Sequence, residues 1–229
     1  MTIKLFIDPG HGGNDPGAVG NGLKEKDLTL AIAKRVKDYL DKHYTGHSVM
    51  LSRSGDTTLS LSERTRKANT WGADYFLSIH INSNEGTGFE SYIYNGTYSS
   101  KAKTNSLRNT IHQEIISRLP GVRDRGKKED NFKVLRETYM PAMLTECLFI
   151  DTKEDAAKLS QPAFIDKLAV GHAEGLAKAF KLKARATKEK PSTGTLYKVQ
   201  VGAFKKKKNA ERLANELKAK GYPVYITTK

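Results

Sequence analysis

The sequence predicts an α/β protein with a central, mostly parallel, twisted sheet, helices on both faces, and a small C-terminal βαβ unit. Short apolar segments typical of strands alternate with longer segments in which apolar residues recur at helical spacing. Hydrophobic residues make up 38% of 229 residues, which is sufficient for a packed core. No apolar run approaches the roughly 20 residues that a membrane-spanning helix requires, so membrane insertion is not expected.

Strands are predicted where short apolar or β-branched runs are bounded by turn residues. In chain order they are Ile3–Asp8, His47–Arg53, Asp74–Asn82, Gly88–Tyr94, Lys133–Leu135 and Ala142–Ile150. The first is followed by a loop, Asp8–Gly22, that contains six glycines. Helical segments separate most of these strands, which favours parallel pairing.

Helices are predicted where apolar residues recur three or four positions apart. In chain order they are Lys24–Tyr44, 60–71, Lys101–Leu119, Lys153–Leu159 and Ala163–Phe180. The second has a capping box, because Ser60 stands three residues before Glu63. We therefore assign residues 1–182 to one domain.

The C-terminal part of the chain has a different composition. Residues 183–194 lack apolar periodicity and are rich in Lys, Thr, Ser, Pro and Gly, which predicts a linker. In residues 195–229, Leu196–Phe204 alternates as a strand, Lys208–Lys220 has helical spacing, and Tyr222–Thr227 is a second strand candidate. Two strands and one helix bury little area, so this unit is expected to be marginally stable alone.

The net charge of +14 is concentrated in the tail. Residues 182–229 contain 13 Lys or Arg and three Asp or Glu, a net charge of +10. The tail is therefore the part of the chain expected to bind a polyanion.

Two further features limit the chemistry and the location. Cys147 is the single cysteine, so an intramolecular disulfide and a Cys-rich metal site are excluded, and metal ligands would be His and carboxylates. The N-terminus has neither a basic n-region followed by a long apolar stretch nor a small-residue cleavage site. We expect synthesis in the cytoplasm without a secretory signal peptide.

His11, Glu25 and His80 are candidate metal ligands. His11 follows the first strand, Glu25 begins the first long helix, and His80 shares one face of its strand with Asn82. A catalytic zinc site needs three such protein ligands and one open position. The residues alone leave a second interpretation open, in which His11 is a turn residue and Glu25 is a first-turn charge favoured by the helix dipole.

Glu146 is the candidate acid/base. It lies in an apolar strand, where an unpaired carboxylate is costly and its pKa is raised, which suits a general base. The alternative is a structural pair with Arg136 or another basic residue. Cys147 is the neighbour of Glu146, so its side chain is expected to point to the opposite face of the strand as a core thiol. The alternative is that Cys147 is a nucleophile activated by a histidine.

Together these segments resemble the N-acetylmuramoyl-L-alanine amidase family of the Amidase_3 type, and particularly the sporulation mother-cell wall amidases of bacilli. The resemblance covers about residues 2–181. The matching segments are Ile7–Gly13, Gly22–Asp27, Ser52-Arg53, Leu61 with Arg64, Ala73-Asp74, Ser78–Ser83, Gly88–Glu90, Asp124–Gly126, Val134–Arg136 and Pro141–Glu146.

The resemblance implies roles for individual residues. It implies that His11, Glu25 and His80 bind one Zn²⁺ per catalytic domain and that Glu146 is catalytic. We expect Asn82 and Arg136 to contact substrate. The family commonly has a glycine two positions after the catalytic glutamate, where this chain has Leu148.

The tail resembles a SPOR-type peptidoglycan-binding repeat through Leu196–Phe204. A full module of that kind contains two βαβ halves, and residues 195–229 supply one. Two interpretations of this single half are open: it pairs with the half-repeat of another chain, or it is a degenerate remnant of a full module.

The implied function is zinc-dependent hydrolysis of the amide between N-acetylmuramic acid and L-alanine in peptidoglycan. Peptidoglycan and teichoic acid are the expected partners; nucleic acid is not, and the catalytic domain is expected to be monomeric. The enzyme is expected to reach the wall after release, during mother-cell lysis or as a phage endolysin. Two alternatives remain open: another peptidoglycan metallopeptidase, and a non-catalytic polyanion-binding or wall-binding protein, which Lys205–Lys208 near tail aromatics suggests.

Overall fold

The computed structural model describes residues 2–185, 200–222 and 224–227, and the chain divides into two compact units, residues 1–186 and 187–229. Most of the predicted linker and the beginning of the predicted strand Leu196–Phe204 lie outside the described residues. No helix in the described part of the chain is both long and apolar enough to span a bilayer.

The first unit is built on a six-stranded sheet. Its strands are β1 Ile3–Pro9, β5 His47–Leu51, β6 Tyr75–Asn82, β7 Phe89–Tyr94, β8 Asp124–Asp130 and β9 Ala142–Phe149. They lie in the order β5-β1-β6-β9-β7-β8, and only the β9–β7 pair is antiparallel. Two small two-stranded sheets join β2 Val19–Gly20 to β3 Leu23–Lys24, and β4 Tyr44–Thr45 to β10 Lys183–Ala184.

Helices cover both faces of this sheet. They are α1 Glu25–His43, α2 Leu61–Trp71, α3 Lys101–Ser117, α4 Lys133–Arg136, α5 Lys153–Leu159 and α6 Pro162–Ala179. Apolar residues of α1, α3 and α6 form the larger core, and those of α2 and α4 form a second one. The predicted α/β class is confirmed, and the Ser60–Glu63 capping box is present at the start of α2.

The prediction of a strand at Lys133–Leu135 is wrong, because the segment forms the helical turn α4. Val134 and Leu135 are both buried in the second core. A strand would send these neighbouring side chains to opposite faces, whereas a helical turn buries both on one side. The strand β8 was not predicted, since its sequence DRGKKED has no apolar alternation. It is an edge strand, where charged side chains remain in water.

The second unit contains the predicted helix, α7 Lys207–Ala219. The described residues on either side of it, 200–204 and 224–227, are not in strands, in contrast to the predicted strand–helix–strand order. A strand requires a hydrogen-bonded neighbour, and a single half-repeat offers few such partners. Val201, Phe204 and Tyr225 are accordingly exposed.

Candidate active site

The site lies at the carboxyl ends of β1 and β6, beside the start of α1. His11 follows β1 in a left-handed conformation, with φ 59°. Two buried arginines fix the backbone before it. Arg64 donates to the Pro9 carbonyl at 2.7 Å and to the His11 carbonyl at 2.8 Å, and Arg53 donates to the Gly10 carbonyl at 2.8 Å. Both arginines lie in segments that match the family, but the sequence alone predicts no role for them.

Glu25 connects the elements of the site. It is the first residue of α1, and it is buried. Its Oε1 accepts hydrogen bonds from His80 Nδ1 and the Ile81 amide, both at 3.0 Å. Its Oε2 accepts from the Ala18 amide at 2.8 Å and lies 3.1 Å from His11 Nε2. The carboxylate therefore joins the glycine loop to β6.

His11, Glu25 and His80 converge as predicted. One ligand atom of each residue lies within 4.8 Å of the other two. Glycines make room for this cluster, because a Cβ on Gly10 would lie 2.4 Å from His80 Cε1, and one on Gly17 would lie 2.6 Å from Glu25 Oε2. Two imidazoles and one carboxylate form a ligand set typical of catalytic zinc, so the residues fit a zinc ion.

The three groups shift one another's pKa. Burial opposes ionisation of Glu25, but hydrogen bonds from His11 and His80 hold its pKa well below the usual range. Burial also disfavours the charged form of each histidine, yet the hydrogen bond to Glu25 raises the pKa of both. Asp15 accepts a hydrogen bond of 2.8 Å from His11 Nδ1, which orients the ring as outer carboxylates do at metal sites.

Glu146 lies beside this cluster. It is the register partner of His80 across β6 and β9, so both side chains project from the same face. Its Oε2 is buried and has no hydrogen-bond partner among the described residues. Burial raises the pKa of Glu146 to about 7, and the nearby carboxylates of Glu25 and Glu90 add to this. Within residues 2–185, 200–222 and 224–227, the alternative pairing of Glu146 with a basic residue is not observed.

Asn82 lies at the end of β6, two residues beyond His80, and donates from Nδ2 to Glu90 Oε1 at 2.8 Å. Arg136 lies on α4, and its partners in the described chain are Asn131 and Glu137, not site residues. Its proposed contact with substrate remains a prediction.

The contacts of Glu90 are not predictable from the sequence, although Glu90 lies in the matching segment Gly88–Glu90. Glu90 is buried and accepts from Tyr92 Oη, Arg125 Nε and Lys128 Nζ at 2.7, 2.7 and 2.5 Å.

Cys147 points away from Glu146. Its thiol is fully buried, 3.7 Å from Thr145 Oγ1 and 4.0 Å from His172 Nε2, and burial raises its pKa. A protonated thiol without solvent access is a core residue and not a nucleophile. Leu148 adopts φ 72°, so this chain has the left-handed backbone that a glycine favours, with a leucine side chain.

Comparison with known proteins identifies the family of each part of the chain. Residues 5–178 match the family model described as N-acetylmuramoyl-L-alanine amidase, and residues 193–229 match that of the SPOR domain. A sporulation-specific N-acetylmuramoyl-L-alanine amidase of Bacillus subtilis is 54% identical over 99% of this chain and 85% of its own length. An endolysin of Bacillus phage SPP1 is 43% identical over 85% of this chain and 74% of its own length.

Solved structures show the same relationship. An N-acetylmuramoyl-L-alanine amidase from Clostridium difficile 630 superposes with a TM-score of 0.74 at 38% identity, covering 79% of this chain and 97% of that one. The chain therefore belongs to the N-acetylmuramoyl-L-alanine amidase family, as a peptidoglycan-hydrolysing enzyme with a C-terminal SPOR domain.

Proposed function

We propose that this amidase is zinc-dependent and cleaves the amide between the lactyl carbonyl of N-acetylmuramic acid and the amino group of L-alanine. The observation that supports this most directly is the position of Glu146, a buried carboxyl with one unpaired oxygen beside a His-Glu-His set. That combination places a proton acceptor next to a ligand set for a Lewis-acidic metal.

His11, Glu25 and His80 would hold the zinc ion, which when bound supplies Lewis-acid activation of the scissile carbonyl and the attacking water. Glu146 accepts a proton from that water as the water oxygen attacks the carbonyl carbon. The same carboxyl then donates the proton to the leaving nitrogen as the C–N bond breaks. The products are a lactyl carboxylate and a free L-alanine amino terminus. A pKa of about 7 suits both halves of this proton transfer.

Analysis of the digestion products tests the proposal. Purified peptidoglycan treated with the full chain should release peptides with a free L-alanine amino terminus, detected by mass spectrometry. Glu146→Ala should abolish this product. New reducing sugar ends, or cleavage within the stem peptide, would show a glycosidase or a metallopeptidase instead.

We also propose that the tail binds the wall, including its teichoic acids. The SPOR match over residues 193–229 and the net charge of +10 support this. Full-length protein should then co-sediment with wall more strongly than residues 1–186, which are the first compact unit, and removal of teichoic acid should reduce the difference. Equal sedimentation of the two proteins would contradict it.

We further propose that the enzyme acts at the wall after release from the cytoplasm in which it is made. The likeness to a sporulation-specific amidase and to a phage endolysin supports this setting. Fractionation before and after lysis tests it: the protein should remain with the cytoplasmic fraction until lysis. Recovery from the medium of intact cells would contradict it.

A further inference from the structure

Arg125 and Lys128 form a basic pair, which we call the β8 pair, at the edge of the site. Glu90 is the register partner of Glu146 across β7 and β9, so its side chain lies on the same face as Glu146 and His80. The β8 pair binds the Oε2 of that same Glu90. A row of side chains therefore runs from the metal ligands through Glu146 and Glu90 to two cationic groups.

This placement depends on an irregularity in β8. Phe89 opposes Asp124 and Ser91 opposes Lys127, so Glu90 faces two residues, Arg125 and Gly126. In a regular strand, residues three apart point to opposite faces. The extra residue in β8 brings Arg125 and Lys128 to the same face.

The irregularity is held by specific contacts. Gly126 adopts φ 87°, which disfavours any residue with a side chain. Its amide donates to Asp124 Oδ1 at 2.7 Å, and the same oxygen lies 2.9 Å from the buried His112 Nε2. The backbone is thus fixed in the conformation that turns Arg125 toward the site.

The β8 pair retains capacity for an anion. The Arg125 guanidinium lies over the Phe149 ring, with Cζ 4.8 Å from the ring centroid, and this cation–π contact stabilises its position. Of the three guanidinium nitrogens of Arg125, only Nε has a hydrogen-bond partner among the described residues, so Nη1 and Nη2 can donate hydrogen bonds to a ligand. The side chains of Arg125 and Lys128 are 26% and 38% exposed, while that of Glu90 is 3% exposed. One buried carboxylate positions two cationic side chains that are partly exposed to solvent.

Resting on the function proposed above, we propose that the β8 pair binds a free carboxylate of the stem peptide and makes this amidase selective for acidic stems. Adjacent strands are about 4.8 Å apart, so β8 lies roughly 14 Å from β6. A few extended residues of about 3.5 Å each span that distance. The carboxylate therefore belongs to a residue of the stem peptide that lies C-terminal to the scissile bond. A guanidinium and an ammonium group provide charge-assisted hydrogen bonds to such a group.

Kinetics on matched synthetic substrates test this assignment. A muramyl peptide with free stem carboxylates is compared with analogues in which each carboxylate is converted in turn to a carboxamide. For wild type, one analogue should show a KM about tenfold higher or more with little change in kcat, as loss of a charged hydrogen bond implies. Arg125→Gln and Lys128→Gln should raise KM for the acidic substrate and leave that for the carboxamide analogue unchanged.

Lys127→Gln is the matched control, because it removes the same charge from the same strand on the opposite face. It should retain the selectivity of wild type, and Arg125→Lys should retain part of it. Equal kcat/KM of wild type for all substrates, or unchanged selectivity in both Gln variants, would overturn the proposal for the β8 pair and would leave the proposed amidase function intact. A wild type that releases no L-alanine amino terminus from any substrate would instead refute the proposed function.

Discussion

His80 and Glu146 lie directly opposite each other on the parallel strands β6 and β9. His80 is hydrogen-bonded to Glu25, and Glu146 has a buried oxygen without a partner among the described residues. This register places a candidate metal ligand and a candidate proton carrier side by side on rigid backbone. The two groups therefore allow the ligand role and the proton-transfer role to be separated by mutation.

Glu146→Gln should lower kcat roughly 100- to 10,000-fold, the usual contribution of general acid–base catalysis. Metal content should not change, because Glu146 is outside the ligand set. Amidase assays and elemental analysis on the same preparation measure both quantities. Glu154→Gln, an exposed carboxylate in the first turn of α5, is the control and should retain full activity. Loss of metal from Glu146→Gln would contradict the assigned roles.

His11→Ala and His80→Ala should each lose bound zinc and activity, because two remaining ligands hold the ion weakly. His43→Ala is the matched control, since His43 lies at the far end of α1. Treatment of wild type with a chelator should abolish hydrolysis, and added Zn²⁺ should restore it. Stoichiometric zinc in both ligand variants would exclude the assigned set.

Gly10→Ala tests the space that the site requires. The new Cβ would lie 2.4 Å from His80 Cε1, so the ring or the loop must move. We expect a loss of about 1–3 kcal/mol in the free energy of unfolding, as for other overpacked sites, and metal affinity lowered by at least about tenfold. Gly55→Ala meets no atom within 4 Å and should change neither. Denaturant titration and metal competition give the two values.

Arg64→Met should destabilise the protein by about 3–5 kcal/mol, because it leaves the buried carboxylate of Asp8 without its partner at 2.7 Å. Activity should fall as well, since Arg64 also bonds to the His11 carbonyl. Arg66→Met, on the exposed side of the same helix, is the control. If Asp8→Asn combined with Arg64→Met is as unstable as Arg64→Met alone, the unpaired charge is not the cause.

Much of the fold was predictable from local pattern. The alternation of polar and apolar residues at Ser78–Asn82 identified a strand with one polar face, and the apolar stripe of α1 identified the helix that presents Glu25. The approach of His11 to Glu25 required the family resemblance, because their contact depends on a glycine loop whose path no periodicity specifies.

The missed features have physical causes of their own. The strand β8 has charged residues because it is an edge strand, so it lacks the apolar signal of the inner strands. The role of Glu90 depends on Arg125 and Lys128, which lie 35 and 38 positions away in sequence and reach it through a strand irregularity. Such long-range contacts leave no trace in a single sequence.

His172 should make folding stability depend on pH. It is fully buried, Nδ1 donates to the Leu168 carbonyl at 2.7 Å, and Nε2 lies 3.1 Å from Thr145 Oγ1, an arrangement suited to the neutral ring. Burial lowers its pKa from 6.5 to about 4. The unfolded chain therefore binds a proton near pH 6.5 that the folded chain does not bind until about pH 4. Its contribution to stability is complete above pH 6.5 and decreases as the pH falls to 4, by about 3 kcal/mol.

Urea unfolding of wild type and His172→Gln across this range isolates the effect, because other groups titrate equally in both proteins. The difference in unfolding free energy between the two should shrink on acidification, and parallel curves would show that His172 is not the group responsible.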